Sequence, residues 1–435
     1  MSPTTKHRRR PVRSPRLAVR LAAAVLPLSL VAGCGRDTTG YTGPFEAEVR
    51  RAIPEIESVA GLTFKTPPVL EVRTRDEARE FLERQFNEQT TPLELAGTQQ
   101  AYRRFGLLPD TLDLRAFLLD VLTEQVAGYY DPGTKVLYVV TGAPTDMTGV
   151  TIRHELVHAL QDQYVSLDAA RGLKGDNDRQ LAHQAVMEGH ATYEQMSSSL
   201  GGDFGLRFPG GFDRIRESIR DNQATMPLLA RAPTLIQETL LFPYVAGINY
   251  AREVKLGRPD RPPFSPPAAS TEQILHPERV LADTPDVPTR VTLAAPRGGT
   301  IIYENNLGEF ETRLFLHEHL ADAGIASRAA AGWDGDRYQL VNTPRGDGLA
   351  WVTVWDSPVE AAEFRDAMER MVERRFGARA GSGGTAATRR WTLRGRSLLV
   401  SAEQVAGRPA VIFEDLPAGV TSRVLDAARI TLQEP

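Results

Sequence analysis

The chain has 435 residues, 41% of them hydrophobic and 24% charged, and a formal net charge of −4. That composition excludes a mainly disordered protein, and the length allows two or three domains with cores of their own. A single cysteine excludes an intramolecular disulfide framework.

The first thirty-three residues differ in kind. Lys6, Arg8, Arg9, Arg10, Arg13, Arg16 and Arg20 give seven positive charges with no acidic residue among them, and "LAAAVLPLSLVA" (21–32) adds twelve mostly apolar residues. A basic stretch before so short an apolar run reads as a signal peptide (1–33) and not as a membrane span. "VAGC", Val31–Cys34, resembles the bacterial lipobox. The resemblance implies lipidation of Cys34 and an extracytoplasmic protein held to the bacterial cell membrane by that anchor. Without the seven leader charges the remainder stands at −11, which argues against a nucleic-acid partner, because phosphate contacts need clustered Lys and Arg. Residues 34–44 read as a tether of turn formers and small polar residues.

Regular patterns follow. "EVRRAIPEIESVAGLTF" and "RDEAREFLERQF" have helical spacing, and "PVLEVRT" (68–74) alternates as a strand between them. "AYRRFGLLPDTLDLRAFLLDVLTEQVAGYY" reads as further helix. In "YDPGTKVLYVV", Asp-Pro-Gly predicts a turn and Lys135–Val140 a strand.

"TIRHELVHALQDQY" (151–164) comes next. On an α-helix, residues i and i+4 project from one face a turn apart, so His154 and His158 can present imidazole nitrogens to one ion. Glu155, in the H-E-x-x-H arrangement, is placed to take a proton from water. A catalytic zinc needs a third protein ligand and one open position. The metzincin extension is absent, because Gln161 and Tyr164 stand where it has glycine and histidine, and "FLHEH" has Phe315 where the inverted motif needs a histidine. The third ligand is then expected on a second helix, "RQLAHQAVMEGHATYEQM" (179–196), which offers Glu188, His183, His190 and Glu194. Glu188 has Gln184, Ala185, Ala191 and Thr192 at helical spacing, a face of small and polar residues that admits close approach by another helix. His190 points about 200° away from it.

"HELVHALQDQ" followed by "AVMEGHATY" resembles the gluzincin metallopeptidases, the thermolysin-like group, over residues 128–195. The resemblance implies a Zn2+ ion held by His154, His158 and Glu188, with Glu155 as general base and a peptide or protein as substrate. It also implies an edge strand beside the zinc helix that pairs with the substrate backbone; Lys135–Val140 fits that part and fits equally an interior strand of the sheet. Two departures stand out. Twenty-nine residues separate His158 from Glu188, and no aspartate follows Glu188 at the family's position. Asp162, one turn past His158, is a substitute for orienting a ligand histidine. For the group that supports the oxyanion, His276 in "STEQILHPER" is the first choice and Tyr244 in "LLFPYVAGINY" the second, with Tyr250 nearby. His317 and His319 diverge on a helix and read as surface residues. No "GxMxN"-type segment for gripping a free amino terminus is visible, which favours an endopeptidase.

The last hundred residues read as a separate unit: strands "RYQLVN" and "LAWVTVW", a helix "SPVEAAEFRDAMERMVERRF" opened by Ser357, Pro358 and Glu360, strands "RRWTLRG", "SLLVSAE" and "AVIFED", and a final helix "AGVTSRVLDAARITL". The expected fold is α+β. A zincin-like catalytic domain (45–328) carries the H-E-x-x-H helix and a second, glutamate-bearing helix, and a small α/β domain (329–435) follows. The expected function is a cell-surface zinc peptidase. The alternative is a non-enzymatic envelope lipoprotein that keeps the fold as a binding or assembly module, against which the intact Glu155 argues.

Overall fold

Helices α1 (Glu46–Ala60), α2 (Arg75–Gln89), α3 (Pro92–Phe105) and α4 (Leu114–Gln125) lead the chain. Thr74 with Glu77 and Thr91 with Glu94 form complete capping boxes, so the first orphan N–H groups of α2 and α3 are satisfied by their own sequence. Between and after them run three strands, β1 (Val69–Arg73), β2 (Gly128–Asp131) and β3 (Val136–Val140), in the sheet order β1-β3-β2. β3 pairs parallel with β1 and antiparallel with β2. The computed structural model describes residues 40–142, 145–168, 173–202, 217, 221, 226–378, 383–385, 387–393, 395–420 and 422–433. The expected signal peptide, Cys34 and most of the expected tether lie outside these residues.

One expectation changes in this small sheet, and one open choice is decided. Residues 128–131 continue the apolar run of α4, yet they form a strand, because Tyr129 and Tyr130 find partners in Tyr138 and Leu137. Of the edge and interior positions open to β3, it takes the interior one, and β2 lies at an edge. Helix α5 (Thr145–Gln161) and α1 cover one face, where Leu70, Leu137 and Val139 pack with Ile53, Ile56, Ile152 and Leu156.

α6 (Asn177–Ser199) and α7 (Thr234–Gly257) cross at a pair of glycines. A Cβ on Gly189 would stand 2.1 Å from the Gly247 carbonyl carbon, and one on Gly247 would stand 2.2 Å from the Ala185 oxygen, so only backbone fits there. The chain then forms β4 (Arg290–Thr292), β5 (Thr300–Asn305), α8 (Gly308–Leu320), α9 (Ala323–Ala330), β6 (Trp333–Thr343), β7 (Gly346–Trp355), α10 (Pro358–Phe376), β8 (Gly383–Thr385), β9 (Thr388–Leu393), β10 (Arg396–Val405), β11 (Arg408–Pro417) and β12 (Thr431–Gln433). Seven of these strands make one antiparallel sheet, ordered β5-β6-β7-β11-β10-β9-β8. Ser357 opens α10 by accepting the Glu360 N–H.

One core joins Val186 of α6 to Phe315 of α8 and Trp351 of β7, and Thr39–Pro435 forms a single compact unit. The boundary expected at 328/329 falls inside α9, and the large sheet spans it, with β5 on one side and β6 on the other. Asn305, the last residue of β5, and Asn306 accept the N–H groups of Asn177 and Asp178 at the start of α6, at 3.0 and 3.1 Å. The final helix is absent among the described residues. Glu414 on β11 accepts the N–H groups of Val424 and Leu425, and residues 431–433 pair with β4 instead. His319 is not a surface residue either, since its ring nitrogen bonds the Phe105 carbonyl at 2.7 Å. Among the described residues no helix is long and apolar enough to cross a membrane.

Candidate metal centre

α5 and α6 lie side by side, and the one-turn spacing on α5 aims both imidazoles at Glu188 of α6. The His154 and His158 Nε2 atoms are 3.2 Å apart, and Glu188 Oε2 lies 3.1 Å from the first and 3.5 Å from the second. Three ligand atoms at about 2.0–2.1 Å from one tetrahedral zinc lie about 3.3 Å from each other. The cluster has those edge lengths, so the donor set fits the ion. Its electrostatics agree. Burial raises the Glu188 carboxyl, but the two imidazoles outweigh it and hold the group well below its ordinary range. Burial likewise opposes a proton on His158, and Glu188 overrides it, bringing that imidazole up to about 9. Without metal, the cluster therefore favours a positive charge at its centre.

The tautomer of His158 follows from its neighbours. Gln161 Nε2 donates to the Met187 carbonyl at 2.9 Å and to His190 Nδ1 at 2.9 Å, which turns Gln161 Oε1 toward His158 Nδ1 at 2.8 Å. An amide oxygen only accepts, so the proton of a neutral His158 sits on Nδ1 and Nε2 offers its lone pair to the cluster, the form a metal ligand needs. From the sequence, Asp162 is open to this orienting part and equally to a solvated place on the helix. The structure commits Asp162 elsewhere, to the Tyr130 hydroxyl at 2.8 Å and Lys135 Nζ at 2.6 Å. The one legible signal for Gln161 was its place three residues past His158 on the same helix face.

Glu155 is buried beside the cluster. Burial raises its carboxyl, while the two imidazoles and a hydrogen bond from the Tyr130 backbone N–H pull the other way. β2 reaches this position because residue 128 is glycine: a Cβ there would meet Thr151 Cγ2 at 2.5 Å and the Tyr138 oxygen at 2.9 Å, with Glu155 Cγ at 3.5 Å.

Of the two oxyanion candidates, the structure brings Tyr244 to the site. Its ring centroid lies 6.3 Å from that of His154, and its hydroxyl is close enough to Glu188 to feel that carboxylate. Burial, then Glu188 and Glu155, push that hydroxyl well above its ordinary range, so it stays protonated and able to donate. His276, the first choice from sequence, is engaged elsewhere: its Nε2 pairs with Glu309 at 3.1 Å and its Nδ1 faces Glu278 at 3.6 Å. Tyr250 is fully buried in the core. Among the competitors for third ligand, His190 is held by Gln161, Glu194 pairs with Lys255 at 2.5 Å, and buried His183 stands outside the cluster. A second acidic group, Glu272, Asp286 and Asp356, already surrounds the Arg279 guanidinium.

Residues 299–412 match a family model described as a domain of unknown function, DUF8575. The match covers β5 to the middle of β11 and leaves α5 and α6 outside it. No curated protein and no solved structure matches the chain.

Proposed function

We propose that the protein is a zinc-dependent peptidase of gluzincin type, tethered at the outer face of the bacterial membrane through Cys34. The observation that carries this reading is the convergence of His154, His158 and Glu188 at zinc-ligand spacing with Glu155 beside them. Zinc, when bound, supplies a Lewis acid for the scissile carbonyl and a lowered pKa for water. Glu155 takes the proton of the attacking water and passes it to the leaving amine. The Tyr244 hydroxyl donates to the oxygen that gains charge. Gln161 fixes His158, and the outer edge of β2, which pairs with no further strand among the described residues, takes an extended substrate, a geometry suited to the interior of a chain and therefore to an endopeptidase.

Zinc content and peptide turnover, measured together, test the reading. His154→Ala is expected to lose zinc and activity at once. Glu155→Gln is expected to keep zinc and lose about 10²–10⁴-fold in kcat, because only the proton acceptor is gone. A Glu155→Gln protein with wild-type turnover sinks the mechanism. A zinc-loaded wild type that cleaves no peptide in a broad library favours the binding-module alternative.

A further inference from the structure

We propose that Phe81 of α2 is a specificity-determining residue that restricts one substrate position, within one residue of the cleaved bond, to a small side chain such as Gly, Ala or Ser. The inference rests on the peptidase reading and adds a substrate class to it.

The argument begins with which way β2 turns its peptide groups. Val140 N–H donates to the Ala127 carbonyl at 2.9 Å, and the register sets Gly128 opposite Val139 and Tyr129 opposite Tyr138. Antiparallel pairing alternates, so Ala127 and Tyr129 spend their hydrogen bonds on β3, whereas Gly128 and Tyr130 turn theirs outward, to the free edge. Glu155 stands at this level: its Cγ lies 3.5 Å from where a Cβ on Gly128 would be, and the Tyr130 backbone N–H is near enough to lower its carboxyl. That fixes the level of the reaction: a peptide laid antiparallel along β2 passes the general base between its partners for Gly128 and Tyr130.

The substrate residue opposite Tyr129 is therefore the one nearest the chemistry. It also belongs to the closely spaced kind of pair, with Cα atoms about 4.5 Å apart, in which side chains are forced together. Side chains alternate across a sheet, and Gly128 faces α5, so Tyr129 and the residue opposite it point to the other face.

On that face the place is taken. Tyr138 covers one side of the Tyr129 ring, with centroids 4.9 Å apart, and Phe81 stacks on it at 4.1 Å with an interplanar angle of 16°. Two rings so close to a third cannot share one of its faces. The row therefore runs Tyr138, Tyr129, Phe81, from the central strand past the edge, and Phe81 occupies the volume into which a neighbouring strand would place a large side chain. Phe81 is itself 8% exposed and anchored in α2, so it does not swing aside as a surface ring does.

The test is cleavage-site profiling of a peptide library with the zinc-loaded protein. Wild type is expected to cleave with small residues at one fixed position flanking the bond. Phe81→Ala is expected to accept Leu, Met or Phe there, with kcat/KM for those peptides rising about 10-fold or more relative to an alanine peptide, while preferences elsewhere stay the same. Phe81→Leu, which keeps most of the packing, is expected to give a smaller widening at the same position, so a poorly folded alanine variant does not end the experiment. An unchanged profile in a folded variant overturns the role of Phe81 and leaves the peptidase reading standing. Absence of cleavage by zinc-loaded wild type overturns both.

Discussion

Gln161 fastens two helices with one side chain. Its amide donates across to the Met187 carbonyl and to His190 on α6, and its oxygen receives the Nδ1 proton of His158 on its own helix. Replacing it with leucine keeps the volume and removes all three bonds. Gln161→Leu is expected to fold, to bind zinc about 10–100-fold more weakly in a chelator competition, and to regain activity when zinc is in excess, because orientation of the ligand and not the ligand itself is lost. Wild-type affinity in that variant would show that packing alone holds His158. The contrast with what was legible beforehand is instructive. His154, Glu155 and His158 could be placed from sequence because one helix turn fixes their geometry. Gln161, and the preference for Tyr244 over His276, depend on which helix lies opposite, and that is decided by contacts between residues 26 to 90 positions apart.

Helices meet where their side chains let them. The glycines at 189 and 247 bring α6 and α7 to backbone contact, and they lie one residue from Glu188 and three from Tyr244, so the crossing point also sets the distance between those two functional groups. In an isolated helix Gly→Ala stabilises by roughly 1 kcal/mol. At this crossing the added methyl meets backbone that cannot rotate away, and overpacking of that kind costs about 1–3 kcal/mol. Gly247→Ala is accordingly expected to lower the urea midpoint and to weaken zinc binding together. A gain in stability would show that the helices separate freely. Elements as well as residues differ in legibility. The capped helices α2, α3 and α10 are written locally in Thr74, Thr91 and Ser357, and the small face around Glu188 announced a close helix partner. β2 was read as helix because Tyr129 and Tyr130 extend the apolar pattern of α4, while its strand form comes from pairing with β3. The helical pattern after residue 418 is likewise overridden, by Glu414 capturing the backbone N–H groups of Val424 and Leu425.

At the scale of the whole molecule, a buried acid couples stability to pH. Glu311 on α8 accepts the Tyr102 hydroxyl of α3 through both oxygens, at 2.8 and 3.0 Å. Burial pushes its carboxyl up to about 8 despite that hydrogen bond. The unfolded chain releases this proton near the ordinary glutamate value, so between about pH 4.5 and 8 the folded protein binds the extra proton and stability falls as pH rises. Glu311→Gln keeps an acceptor for Tyr102 and abolishes the titration. Its stability relative to wild type is expected to improve by about 2–4 kcal/mol from pH 5 to pH 8, read from calorimetric melting at both values. Parallel melting curves for the two proteins across that range would show that Glu311 is ionised in the fold.

The amides of Asn305 and Asn306 have a further consequence. The helix that brings Glu188 to the histidines starts on side chains that belong to the stretch matched by the domain model, more than a hundred residues later in the chain. The two stretches are therefore structurally coupled and are not independent modules. Removing the chain from residue 299 onward takes away both acceptors, and with them the hydrogen bonds that hold the first turn of the helix carrying Glu188.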